Sequence, residues 1–201
     1  IIIFMEIILA THNLDKCKEL QKAFKGDKIK IYTLNDFPEI GEIIEDGITL
    51  EENAFIKSRT VFNLTNIPTV SDDTGLEVEA LNGQPGIYSA RYAGEDCSYH
   101  DNVHKLIDEM KNIADKYRSA EFKTVVTYVS KNLELVAEGS VKGTITRKPI
   151  GRKGFGYDPI FYVLGQNKTF AEMDINEKEN CSHRGKAIAN LKRLFKENNL
   201  F

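Results

Sequence analysis

Two neighbouring carboxylates, Asp72 and Asp73, stand in the run Thr69-Val70-Ser71-Asp72-Asp73-Thr74-Gly75-Leu76-Glu77-Val78, after which Leu76, Val78 and Ala80 alternate. The pattern predicts a strand that runs into a charged turn. Adjacent carboxylates repel, and the repulsion is relieved by a divalent cation, a nearby base or open solvent. Asp-Asp-Thr-Gly is also ordinary turn chemistry, so spacing alone leaves a metal site and a solvated turn both open. A second reactive stretch is Thr11-His12-Asn13, which leads into Leu14, Cys17, Leu20 and Phe24 at helical spacing. Thr11 or Asn13 can cap that helix, and Lys16 falls in its first turn, where the helix dipole disfavours a cation unless an anion is close. Free backbone N–H groups and this lysine offer a phosphate seat; the alternative is a lysine pointing into water. Neither GxxxxGK[ST] nor GxGxxG occurs, so P-loop and dinucleotide readings lose support.

Three further segments carry chemistry. The loop from Asp36 to Gly47 holds Glu39, Glu42, Glu45 and Asp46 after Pro38 and reads first as solvated surface. Gly151 to Pro159 reads Gly-Arg-Lys-Gly-Phe-Gly-Tyr-Asp-Pro; if extended, Phe155 and Tyr157 share a face, and Gly154 and Gly156 leave room for a flat ligand. A glycine hinge with its aromatics in the core is the competing account. Lys178, His183 and Arg184 gather at the start of a helix carrying Ala187, Ile188, Leu191, Leu194 and Phe195, with Ser182 as its cap. His100 and His104 stand an i,i+4 step apart without a third ligand nearby, and read as surface.

The elements that must position these groups follow from periodicity. The opening run from Ile1 to Ala10 predicts a buried strand: it is too short to span a bilayer and lacks a basic lead, and Met5 is a candidate natural start. Thr49 and Glu52 have capping-box spacing and open a helix through Ala54, Phe55, Ser58 and Phe62. Val103, Leu106, Ile107 and Met110 mark another helix, started by Ser98 or Asp96. Between Glu121 and Arg147 three alternating groups predict hairpin-like strands: Phe122 to Tyr128, Leu133 to Ala137 and Val141 to Ile145. A parallel βαβ opening followed by consecutive strands implies an α/β fold with a mixed sheet. At 201 residues the chain reads as one unit or two tightly packed lobes. A net charge of -3 argues against binding long nucleic-acid polymers and leaves single nucleotides open. Cys17, Cys97 and Cys181 show neither disulfide nor zinc spacing and fit a reducing cytoplasm.

Taken in order, five segments resemble one family, the inosine/xanthosine triphosphate pyrophosphatases. They are Ala10 to Lys16 (Ala-Thr-His-Asn-Leu-Asp-Lys), Ser71 to Gly75, Gly83 to Tyr92 (Gly-Gln-Pro-Gly-Ile-Tyr-Ser-Ala-Arg-Tyr), Gly154 to Phe161 (Gly-Phe-Gly-Tyr-Asp-Pro-Ile-Phe) and Ser182 to Gly185 (Ser-His-Arg-Gly), and they span nearly the whole chain. The resemblance implies hydrolysis of noncanonical purine nucleoside triphosphates (ITP, dITP, XTP) to the monophosphate and pyrophosphate. It further implies one α/β domain over residues 1–201, an elongated central mixed sheet flanked by helices, two lobes with a deep cleft between them, a homodimer, and Mg²⁺ as cofactor. Carried over by residue, Thr11, His12, Asn13, Leu14, Asp15 and Lys16 hold the phosphates, Asp73 is the catalytic acid residue, and Thr74 contacts substrate where the family often has serine. Phe155, Gly156, Tyr157, Asp158, Lys178, His183 and Arg184 line the nucleotide site. Asp73 and a loop glutamate bind the metal; Glu39 matches relatives with Pro-Glu here, with Glu42 and Glu45 as further candidates.

The expected mechanism is attack of water on the α-phosphorus, with Asp73 orienting or deprotonating the water and Lys16 stabilising the leaving pyrophosphate. Phosphoryl transfer needs positioning and electrostatics more than covalent chemistry, and no nucleophilic triad is required. A 6-keto purine offers an acceptor at O6 and a donor at N1, the reverse of adenine, so a complementary site rejects ATP. The loop around Asp158 and the His183/Arg184 pair are expected to exclude guanine through its 2-amino group. Two competing readings are a related-fold pyrophosphatase for other modified nucleotides, pyrimidines included, and a nucleotide-binding protein without catalysis.

Overall fold

The computed structural model describes residues 5–26 and 28–200, so the first four residues of the expected opening strand lie outside it. The described strand β1 (Met5–Leu9) pairs in parallel with β2 (Ile29–Thr33) and β3 (Thr69–Val78), the arrangement expected when helices α1 (Leu14–Ala23) and α2 (Leu50–Thr65) serve as crossovers. Downstream come β4 (Pro85–Gly86), α3 (Tyr99–Glu109), β5 (Ser119–Val129), β6 (Glu134–Ile145), β7 (Phe161–Val163), β8 (Lys168–Thr169), α4 (Ile175–Cys181) and α5 (His183–Glu197). The eight strands form one sheet in the order β2-β1-β3-β5-β6-β7-β8, with β4 antiparallel on β3, and β6/β7 and β7/β8 antiparallel. The expected mixed sheet is therefore present. The second and third alternating groups form the single strand β6, which follows β5 through the turn closed by Ser130 N–H donating to Leu133 O.

The described chain divides into two compact units: the part up to Asp73 with 124–139 and 184 onward, and 74–123 with 140–183. In the first unit the period-two alternation of β1 and β3 sorts side chains onto two cores. Ile7, Leu9 and Val70 pack with Leu20 and Phe24 of α1 and Ile188, Leu191 and Phe195 of α5. Ile8 and Ala10 pack instead with Val61 of α2. A strand apolar on both faces is what a parallel sheet covered on both sides requires. Leu20 and Phe24 are almost fully buried, each contributing about 1.5–3 kcal/mol, whereas Leu14, predicted on the same stripe, is 61% exposed. The second unit is built on Leu106 and Met110 against Phe122, Phe161 and Phe170.

Caps read from the sequence are in place: Asn13 for α1, Thr49 with Glu52 for α2, and, of Ser98 and Asp96, Ser98 for α3, where Asp101 completes a capping box. Two expectations change and one pair of alternatives is decided. The acid pair is not in a turn, because β3 runs unbroken from Thr69 to Val78. Of the two accounts of the Gly-aromatic segment the hinge holds: Gly154 and Gly156 take φ of +72 and +59, which turns the chain and sends Tyr157 into the core. Finally, Lys178 does not precede one long helix. It belongs to the separate helix α4, capped by Asp174 with Glu177, and Ser182 lies between α4 and α5.

Candidate active site

Because successive side chains of a strand point to opposite faces, Asp72 and Asp73 separate within β3 and meet different partners. Asp72 shares the α1/α5 face with Val70. It is fully buried, and one carboxylate oxygen accepts from Arg184 Nε at 3.1 Å and Nη2 at 3.0 Å while Lys16 Nζ lies 3.3 Å away. Arg184, itself 2% exposed, also donates to Glu19 of α1. Burial by itself pushes Asp72 up, but the charges of Lys16, Arg184 and Lys57 override it and hold the carboxyl well below the usual range. For Arg184 burial pulls down, and Asp72 with Glu19 more than reverses it. Asp72 is therefore the anion that makes a lysine tolerable in the first turn of α1.

Asp73 faces α2. Lys57, on the buried stripe of that helix beside Asn53, Ala54, Ser58 and Val61, places Nζ 3.6 Å from Asp73 Oδ1 and donates to Glu45 Oε2 at 2.5 Å. Burial lowers Lys57, yet Asp73, Glu45 and Asp72 raise it further, so the ammonium is kept. Ser71, on the same face of β3, donates to Ala54 O at 2.5 Å and ties the strand to α2. The acidic loop is anchored at its start too: His12 Nε2 donates to Gly41 O at 2.8 Å. Glu39 and Glu42 are exposed, and it is Glu45 that reaches the cation beside Asp73.

Among the described residues no group of three or more His, Cys, Asp or Glu side chains could hold a metal. The Asp73 and Glu45 carboxylates nonetheless converge on one buried ammonium, and oxygen donors of this kind suit Mg²⁺, which takes one or two protein carboxylates and fills its shell with water and phosphate oxygens.

At the end of β1, Thr11 Oγ1 accepts from Asn13 N–H at 3.2 Å, and the Asn13 carboxamide oxygen accepts from the N–H groups of Asp15 at 3.0 Å and Lys16 at 3.1 Å. Asp15 is bound by Lys18 at 3.1 Å. Asn13 is thus committed as a cap.

In the second unit the nucleotide-site candidates assemble around Asp158. Its buried carboxylate accepts from Phe155 N–H at 2.8 Å and from Lys178 Nζ at 2.5 Å. Lys178 lies 4.6 Å from the Phe155 ring centroid, a cation–π contact, and Tyr99 packs on Phe155 at 5.8 Å. A Cβ on Gly154 would stand 1.9 Å from Asp158 Oδ2, so this glycine makes room for the carboxylate, while Gly156 has open space around it. Tyr157 donates to Ser89 O at 2.9 Å. His183 stacks on Phe122 at 4.4 Å and 14° and meets Phe170 at 5.7 Å. Thr74 is half-buried where β3 enters this unit.

Lys57 and Glu19 were given no role from sequence, and Asp72 was read only as the neighbour of Asp73 in a carboxylate pair. For Lys57 a signal existed, since a lysine lies between Ala54 and Val61 at i,i+3 and i,i+4 spacing, within the stripe that must be buried.

Sheet order, covering helices and paired charge clusters define an α/β protein whose central strand β3 and the helices against it gather ionised side chains. A family model described as the Ham1 family matches residues 7–194. The chain is 45% identical over 188 residues to the dITP/XTP pyrophosphatase of Thermoanaerobacter sp. (strain X514), covering 94% of this chain and 95% of that one. It is 44% identical over 197 residues to the dITP/XTP pyrophosphatase of Elusimicrobium minutum (strain Pei191), covering 96% and 100%. Among solved structures, a HAM1 protein from Coxiella burnetii matches with a TM-score of 0.87 at 38% identity over 96% of this chain and 100% of that one. The Staphylococcus aureus Ham1 protein matches at 0.86 and 37%, over 96% and 99%. The chain belongs to the Ham1 family.

Proposed function

We propose that the protein hydrolyses noncanonical purine nucleoside triphosphates, ITP, dITP and XTP, to the nucleoside monophosphate and pyrophosphate, removing them from the nucleotide pool. The observation that carries this reading is the match, over 94% of the chain, to a relative named dITP/XTP pyrophosphatase. The paired acidic and basic groups around β3 support it, because phosphoryl transfer rests on placed charge.

Of the two β3 carboxylates, Asp72 is enclosed and held by Arg184 and Lys16, while Asp73 retains 13% exposure of its side chain. Asp73 is therefore the group that orients the attacking water and takes its proton. Lys57 fixes Asp73 and offsets the mutual repulsion of Asp73 and Glu45. Asp73 and Glu45 would hold Mg²⁺, which when bound would neutralise triphosphate charge and polarise the reacting phosphoryl group. Lys16, with the backbone N–H groups opening α1, serves the departing pyrophosphate.

For the base end, Phe155 offers an aromatic face, and Asp158 with Lys178 sets its position. Tyr157, His183 and Arg184 are committed to the interior, so they act on a base through the backbone and ring placement they enforce. A 6-keto edge is selected by complementary hydrogen bonding, which leaves adenine with unpaired buried groups.

The homodimer rests on the family resemblance, and sedimentation equilibrium tests it. Three free cysteines support a reducing, cytoplasmic setting, and no described helix is long and apolar enough to cross a membrane. The experiment for activity is a panel of ITP, dITP, XTP, GTP and ATP with Mg²⁺, separating pyrophosphate from orthophosphate release. Pyrophosphate from ITP and XTP in clear excess over GTP and ATP is expected. Equal turnover of all five, or orthophosphate as the product, overturns the reading.

A further inference from the structure

Helix α3 carries a feature that the proposed reaction does not use. Its inner stripe of Val103, Leu106 and Met110 is buried, and the Ser98/Asp101 capping box closes its first turn, so its backbone is well fixed. On the outer face His100 and His104, one turn apart, bring their Nε2 atoms to 2.9 Å, with ring centroids 4.0 Å apart and planes inclined at 45°. Both rings are exposed. Asp101 adds negative charge in the same turn; hydrogen bonds from Ser98 hold its carboxyl below the usual range, with a smaller contribution from the two imidazoles.

We propose that His100 and His104 form a two-nitrogen site for a transition-metal dication, selective for Ni²⁺ and Cu²⁺ over Zn²⁺. Metal–imidazole bonds of about 2.0–2.1 Å at a right angle separate the two nitrogens by roughly 2.9 Å, whereas a tetrahedral angle separates them by about 3.4 Å. The 2.9 Å between the two Nε2 atoms, a hydrogen-bond distance in the metal-free pair, lets nearly the same ring placement serve a right-angled pair, which belongs to square-planar and octahedral ions. In the metal-free pair one Nε2–H donates to the other Nε2. On binding, the donor ring shifts its proton to Nδ1, both Nε2 lone pairs face the ion, and no net proton is lost. Water fills the remaining positions. Nitrogen donors separate this site from the oxygen donors of Asp73 and Glu45, which suit harder ions.

The test is calorimetric titration of the untagged full chain with NiCl2 and ZnCl2 in excess Mg²⁺, and electron paramagnetic resonance after one equivalent of Cu²⁺. One saturable Ni²⁺ site at micromolar concentration is expected, with weaker Zn²⁺ binding and a Cu²⁺ spectrum split by two nitrogens. H100A and H104A should each abolish micromolar uptake, while H12A keeps it. H100N and H104N serve the same purpose should an alanine variant fail to fold, as judged by circular dichroism. Absence of saturable Ni²⁺ uptake below millimolar concentration, uptake unchanged in H100A or H104A, or Zn²⁺ binding tighter than Ni²⁺ overturns the proposal. None of these readouts depends on nucleotide hydrolysis, so the two readings fail separately.

Discussion

The ammonium of Lys57 stands 3.6 Å from Asp73 and bonds Glu45 at 2.5 Å, so one buried cation holds the strand carboxylate and the loop carboxylate together. Lys57→Met leaves the two anions facing each other and the loop untethered. Pyrophosphate release from ITP should fall by about 10²–10³-fold. Steady-state kinetics with ITP measures it, and a rate within twofold of the parent would remove Lys57 from the site.

Asp73→Asn keeps size and hydrogen-bonding capacity but loses the proton acceptor. The expected result is a fall in kcat of about 10²–10⁴-fold with the melting temperature little changed. A large loss of stability in place of a kinetic defect would instead mark Asp73 as structural.

Chelation should abolish turnover and Mg²⁺ should restore it. Glu45→Gln is expected to raise the Mg²⁺ concentration needed for half-maximal rate, and Glu39→Gln to leave it near the parent value, because Glu45 is the loop carboxylate that shares the Lys57 ammonium with Asp73. Reversal of that order in a Mg²⁺ titration returns the ligand role to Glu39.

Asp72→Asn removes the charge of the carboxylate that accepts from Arg184 Nε and Nη2 and faces Lys16. Removing one member of a buried pair costs about 3–5 kcal/mol. The Asp72 pKa is depressed on folding, so its stabilisation is present above its ordinary value of 3.8 and is lost as pH falls through the folded value. Lys57 has the opposite sign: its raised value gives stability that is present below 10.5 and lost as pH climbs through the folded value. Urea unfolding between pH 2 and 5 should show the acid-side slope in the parent and a weaker one in Asp72→Asn.

Gly154→Ala places a methyl group where Asp158 Oδ2 lies, at a φ of +72 that alanine rarely adopts. The carboxylate must move away from Phe155 N–H and Lys178, disturbing the aromatic face. KM for ITP should rise about tenfold or more, with a smaller change in kcat. An unchanged KM would detach this turn from substrate binding.

Helix stripes, caps and the mixed sheet were legible because they depend on spacings of two to four residues, as with Thr49 and Glu52 or Val103, Leu106 and Met110. The acid pair was misread as a turn because Asp, Thr and Gly disfavour strands locally; pairing with Arg184, Lys16 and Lys57 overrides that preference and keeps β3 straight through Asp72 and Asp73. For the Gly-aromatic run the sequence left an extended ledge and a glycine hinge both open, because it does not register that Asp158 turns back onto the N–H of Phe155.

Sequence alone determined the α/β class, the capping residues and which short segments carry ionisable and aromatic groups. Tertiary structure decided their partners: Arg184 reaches Asp72 across 112 residues of chain, and Glu45 rather than Glu39 meets the cation beside Asp73. The reason is physical. Local pattern reports which face of an element must leave water, whereas the balance of burial against charge is struck only when distant elements close on one another.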